Sequence, residues 1–125
     1  MPRPILDEDH LHPAIRARVA AHQQQILQEV MHAVAANDVV VVGMKWNPFV
    51  KRARQALTGA GQPFIDLEYG SYLNRWRERN ALKLWTGWPT FPMVFVKGTL
   101  VGGSKEAEAL IASGELKRLV PPRLT

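Results

Sequence analysis

The sequence predicts an α/β domain: a four-stranded mixed sheet flanked by helices, with an extra N-terminal helix. Three observations carry this. Val39 to Val42 is an unbroken β-branched run, as in a strand covered on both faces. Helical periodicity precedes that run and returns twice between it and the next clear strands. Met93 to Val101 then reads as two short strands around Gly98-Thr99, an antiparallel hairpin.

The elements follow in order. Residues 1–12 read as a flexible leader, and residues 13–125 as one domain. From Pro13, which suits a first helical turn, Ile15, Val19, Ile26, Val30 and Val34 fall on one face of a helix that Asn37-Asp38 ends. After the valine strand, Asn47-Pro48 signals a helix start. The Asn side chain accepts from free backbone amides, and Pro has no N–H to leave unpaired. That helix runs to about Gly59 or Gly61 and offers Phe49, Val50, Ala53 and Leu57 to the core. Pro63 to Glu68 is a second strand and Tyr69-Gly70 a turn. Ser71 then caps a third helix with Tyr72, Leu73, Trp76 and Leu84 inward and Arg75, Arg77, Glu78 and Arg79 mostly outward. Past the hairpin, Ser104 caps a fourth helix through Ile111, with Glu106 near its positive end. Gly114 stops it, and Glu115 to Val120 adds a turn before Pro121-Pro122. The right-handed crossover rule makes the first two strands a parallel βαβ unit, and the hairpin extends the sheet antiparallel. This is the element order of the thioredoxin fold.

Composition narrows the function. The 125 residues are 46% hydrophobic and 22% charged, a globular balance. No apolar run approaches the roughly 20 residues of a membrane helix. The start has no apolar stretch after basic residues, so it does not read as a signal peptide, and a cytoplasmic location is expected. A net charge of +5 favours anionic partners, too weakly to point to nucleic acid. There is no cysteine, which excludes disulfides, thiolate metal sites and thiol catalysis. The histidines His10, His12, His22 and His32 lack ligand spacing, so no metal site is expected.

Three motifs, in order, resemble those of glutaredoxins. Val39-Val40-Val41-Val42-Gly43-Met44-Lys45-Trp46-Asn47-Pro48-Phe49-Val50 resembles their first strand and active-site helix, which carry Cys-Pro-Tyr-Cys or Cys-Gly-Phe-Ser. Trp88-Pro89-Thr90-Phe91-Pro92 resembles the Trp-Pro-Thr-aromatic-Pro segment of the monothiol branch. Val96-Lys97-Gly98 through Gly102-Gly103-Ser104 resembles the family's hairpin and its Gly-Gly-Cys-Asp turn. The resemblance runs from about Gln25 to Val120. Every thiol position is vacant: Asn47 stands at the nucleophile, Val50 at the second Cys or Ser, and Ser104 at the Cys after the double glycine. Met44 takes the place of a glutathione-binding Lys, with Lys45 next to it, and Lys105 replaces an Asp.

The resemblance implies a glutathione-type groove of Lys45, Trp46, Asn47, Thr90, Phe91, Pro92, Gly103, Ser104 and Lys105, with Arg75 or Arg79 gripping a carboxylate. It implies a cis bond before Pro92, a state of only about 5–6% of X–Pro bonds, and a backbone at Phe91 that pairs with an extended peptide. Helix-start amides at Gly103-Ser104 would hold a carboxylate, and Glu106 would stand in for the missing Asp. Asn47 and Ser104 also serve simply as helix caps, and the basic side chains as a solvated face. The family's iron–sulfur cluster uses the missing thiolate, which argues against one here.

These residues fit a non-redox binding module for glutathione or another acidic thiol peptide. They also fit an enzyme to which bound glutathione brings the thiolate, with Asn47 donating to the sulfur. A third reading is a protein-interaction domain with a vestigial groove. Without cysteine, none is a thiol–disulfide oxidoreductase through its own residues.

Overall fold

The computed structural model describes residues 3–71 and 73–121. Two helices come first, α1 (Pro13–Ala21) and α2 (Gln24–Ala36). A βαβ unit follows: β1 (Val39–Gly43), α3 (Pro48–Gly59) and β2 (Ile65–Glu68). Then come α4 (Trp76–Thr86), β3 (Met93–Val96), β4 (Thr99–Gly102), α5 (Ser104–Ala112) and α6 (Glu115–Leu119). The sheet order is β2-β1-β3-β4, with β1 parallel to β2 and antiparallel to β3, and β4 antiparallel to β3. This is the thioredoxin-like arrangement.

Side-chain alternation along the strands builds two cores. Val40, Val42, Met93 and Phe95 face Ile26 and Val30 of α2 and Ala81 and Leu82 of α4. Val39, Val41, Val94 and Val96 face Ala53 and Leu57 of α3, Ala107 of α5 and Leu116 of α6. The period of two explains why the valine run is uninterrupted: each face of β1 has its own helical cover. Gly43 closes the strand where a side chain has no room, since a Cβ there would lie 2.6 Å from Val50 Cγ1.

Four sequence expectations are corrected. The first helix breaks at His22–Gln23, where Gln23 takes φ 50°, and α1 buries nothing. Ile15 and Val19, expected on the apolar face of one helix, instead line an open cleft with Leu27 of α2 and Leu84 of α4, and they are 40% and 49% exposed. The third helix starts at Trp76, not Ser71. Ser71 N–H donates to Asn74 Oδ1 and Leu73 N–H to Ser71 Oγ, a local turn that competes with helix. The late start turns Leu73, Trp76 and Leu84 to solvent and buries Arg79; Tyr72 lies outside the described residues. Phe49, expected in the core, is 52% exposed because it sits off the Val50–Ala53–Leu57 stripe. Finally, Gly103 rather than Ser104 is the N-cap of α5, and Ser104 is buried as its first helical residue.

The hairpin stands, with its turn one residue earlier. Lys97 and Gly98 have φ 51° and 82°, the positive pair of a type I′ turn. Lys97 Nζ meets Asp38 Oδ1 at 2.8 Å. Within the leader, Glu8–His10 form a 3-10 turn, tied to α1 by Arg16 Nε donating to the carbonyls of Glu8 and Leu11.

Candidate functional site

Topology gathers the candidate residues at one end of the sheet. β4 is two antiparallel steps from β1, so both strands point the same way. The helices that follow them, α3 and α5, therefore start at the same end and rest on the same face of the sheet. Val42 pairs with Met93, so the chain leaving β1 through Met44 and the chain entering β3 from Phe91 and Pro92 lie side by side. Val94 pairs with Gly102, which brings Gly103 to the far side of Pro92. A Cβ on Gly103 would lie 3.4 Å from the Pro92 carbonyl oxygen. On the other side of Asn47, Lys45 N–H donates to the Gly70 carbonyl at 2.7 Å.

The residues expected to line a groove, Lys45-Trp46-Asn47, Thr90-Phe91-Pro92 and Gly103-Ser104-Lys105, therefore follow one another across this end of the sheet. The Phe91–Pro92 bond is cis. Lys45, Thr90 and Lys105 are exposed, and Phe91 and Pro92 are buried. Lys83 Nζ stands 5.8 Å from the Phe91 ring centre. Asn47 caps α3: its Oδ1 accepts from Phe49 N–H at 2.9 Å and Val50 N–H at 3.2 Å. Its amide nitrogen makes no hydrogen bond among the described residues. Val50, at the second thiol position, is 1% exposed in the core.

The two arginines offered for a carboxylate stand apart in role. Arg79 is buried, and its Nη1 donates to the carbonyls of Tyr69 at 3.0 Å and Asn74 at 2.6 Å. It ties the backbone at Tyr69 to that at Asn74. Arg75 is half exposed, 5.3 Å from the Tyr69 ring centre and 3.8 Å from Glu78. On α3, Arg52 meets Glu108, and Arg54 meets Asp66 and Glu68. Glu106 accepts from Gly103 N–H at 2.9 Å, so one of its oxygens is already engaged at the start of α5.

Two features were not legible in the sequence. Trp88 Nε1 is buried without a hydrogen-bond partner among the described residues, 3.7 Å from where a Gly103 Cβ would be. Buried donors are nearly always paired, and only the packing against Gly103 reveals this one. Tyr69 is the second: burial above all, then its hydrogen bond to Glu29 (2.8 Å) and that carboxylate's charge, push its phenol pKa well up. Away from the groove, an apolar cleft of about 600 Å³ lies among α1, α2 and α4, lined by Ile15, Val19, Leu27 and Leu84.

Comparison with known proteins agrees with this fold. The glutaredoxin family profile matches residues 39–101. A glutaredoxin-like protein of Dictyostelium discoideum is 41% identical over 95 residues, covering 76% of this chain and 77% of that protein. Glutaredoxin 4 of Escherichia coli K12 is 31% identical over 100 residues, covering 75% and 84%. The buckwheat glutaredoxin–glutathione complex superposes with a TM-score of 0.70 at 23% identity, over 79% of this chain and 90% of that one, a likeness of fold.

Proposed function

The chain belongs to the glutaredoxin family, and from that premise, with no cysteine in its sequence, we propose that it is a non-redox module that binds glutathione or a closely similar acidic peptide. One observation carries the reading. The N-termini of α3 and α5 open at the same end of the sheet, on either side of Pro92. At α5 the Ser104 and Lys105 amides have no partner among the described residues. At α3, Pro48 has no N–H and Asn47 takes the amides of Phe49 and Val50, so α3 offers an anion the positive end of its dipole alone. Exposed Lys45 and Lys105 and half-exposed Arg75 add positive charge around them. A ligand with a carboxylate at each end of an extended backbone matches that spacing of charge. The glutathione held by the buckwheat protein of the same fold is such a ligand.

The thiol chemistry of the family does not follow the fold here. An amide side chain cannot attack a disulfide, and at this helix start the Asn47 oxygen is spent on the cap. Calorimetric titration of glutathione into the protein tests the reading. Saturable binding, weakened severalfold in Lys45→Glu and in Lys105→Glu, is expected. No heat at millimolar glutathione would remove it.

A second reading is favoured by the free Asn47 amide nitrogen. A sulfur bound beside it would receive an N–H donor, so bound glutathione would be the nucleophile and the protein its orienting surface. The observable is turnover of an electrophile such as a nitroaryl halide above the rate with glutathione alone.

A further inference from the structure

Two large aromatic side chains stand in solvent on either side of Asn47. Trp46 is 75% exposed and Phe49 52% exposed, and neither belongs to either core. Trp46 takes φ 63°, a left-handed conformation uncommon for a bulky residue. It is held there by the Lys45–Gly70 backbone bond before it and the Asn47 cap after it. Neither ring has an aromatic or cationic partner among the described residues. Rings left bare beside a binding groove, on a backbone fixed to present them, fit an apolar part of the ligand.

The chemistry at Asn47 says which part. A free thiol at this position would gain at most a hydrogen bond from the Asn47 amide, because the chain has no cysteine to join it in a disulfide. A sulfur that already carries an aryl or alkyl group would set that group against Trp46 and Phe49 and remove apolar surface of both partners from water. We infer that the groove selects S-substituted glutathione, a thioether conjugate, over glutathione itself. The inference rests on the glutathione-type reading above and adds the class of the sulfur substituent. The peptide part keeps its carboxylates for the helix starts, and the substituent lies on the two rings.

Calorimetry on the whole chain with glutathione, S-methylglutathione, S-hexylglutathione and S-benzylglutathione tests it. The hexyl and benzyl conjugates are expected to bind at least about tenfold more tightly than glutathione, with the methyl conjugate between them. Trp46→Ala and Phe49→Ala, both at exposed positions, should each narrow that gap to within about threefold, with circular dichroism showing the fold retained. Hexanoate, an anion with the tail but no peptide, should show no saturable binding. Equal affinity for conjugates and glutathione would overturn the inference and leave the glutathione reading standing. A conjugate preference untouched by either variant would also overturn it. Binding of none of the four would bring down the underlying reading instead.

Discussion

Arg52 and Glu108 meet in two contacts, Nε to Oε1 at 3.0 Å and Nη2 to Oε2 at 3.2 Å. Each is the fifth residue of its helix, α3 for Arg52 and α5 for Glu108. The pair therefore ties the two helices at equal depth and keeps their N-termini level at the groove. Both side chains are partly exposed, which limits the energy of the link. A double-mutant cycle with Arg52→Ala and Glu108→Ala should give a coupling of about 0.5–1 kcal/mol, mostly lost in high salt. Urea unfolding at low and high ionic strength measures it.

Asn47 is a cap first. Asn47→Ala should cost about 1 kcal/mol of stability, while Asn47→Asp and Asn47→Ser should cost less than half of that. Thermal unfolding of the three variants checks the order. Asn47→Cys makes a different point. A thiol at this helix start should have a pKa below the ordinary value near 8.5. Oxidised glutathione should then react with it, forming a mixed disulfide at the new sulfur and releasing one glutathione thiolate. Mass spectrometry would register the adduct, and its absence would mean that the helix start no longer activates a thiol there.

Arg79 is the polar group whose loss should cost most. Removing its two bonds leaves the carbonyls of Tyr69 and Asn74 unpaired, one of them in a buried setting. Arg79→Met, which keeps the stem, should destabilise by about 2–3 kcal/mol. Amide hydrogen exchange should rise at Gly70, Ser71, Asn74 and Arg75 while β1 and β3 stay protected.

Tyr69 sets an alkaline limit on stability. Its proton is held more tightly in the folded chain than in the unfolded one, mainly through burial and then through Glu29, with Arg75 opposing. The stabilisation linked to that proton is complete below the unfolded value near pH 10. It is lost as pH rises from there toward the higher folded-state pKa. Tyr69→Phe should cost about 1 kcal/mol at neutral pH through the missing bond to Glu29, and should flatten the decline above about pH 10. Urea unfolding from pH 7 to about pH 11 shows both effects.

Local signals placed most of the fold. The valine run, the Asn47-Pro48 start and the glycine of the hairpin turn each act within a few residues, so the sequence carries them openly. The failures share a cause of another kind. Residues 13–21 form no apolar stripe of their own, and the left-handed Gln23 separates them from α2, a break that two apolar residues four apart do not reveal. Asn74 and Arg75 delay α4 through a side-chain turn and a left-handed residue, and that delay turned an arginine expected outward into the buried Arg79. At the site, the motif order named three segments that the sheet brings to one end. The exposure of Phe49 follows from its place off the Val50–Ala53–Leu57 stripe, whereas the unpaired Trp88 N–H depends on packing near Gly103, a separate segment of the chain.

Glutathione binding by a chain without a thiol is what the proposed function requires. Amide ¹H–¹⁵N spectra recorded through a glutathione titration measure it residue by residue. Saturable shifts confined to residues 44–51, 90–92 and 102–107 are expected, with α1 and α2 unmoved. Spectra unchanged at millimolar glutathione, or shifts gathered around α1 and α4 instead, would contradict it.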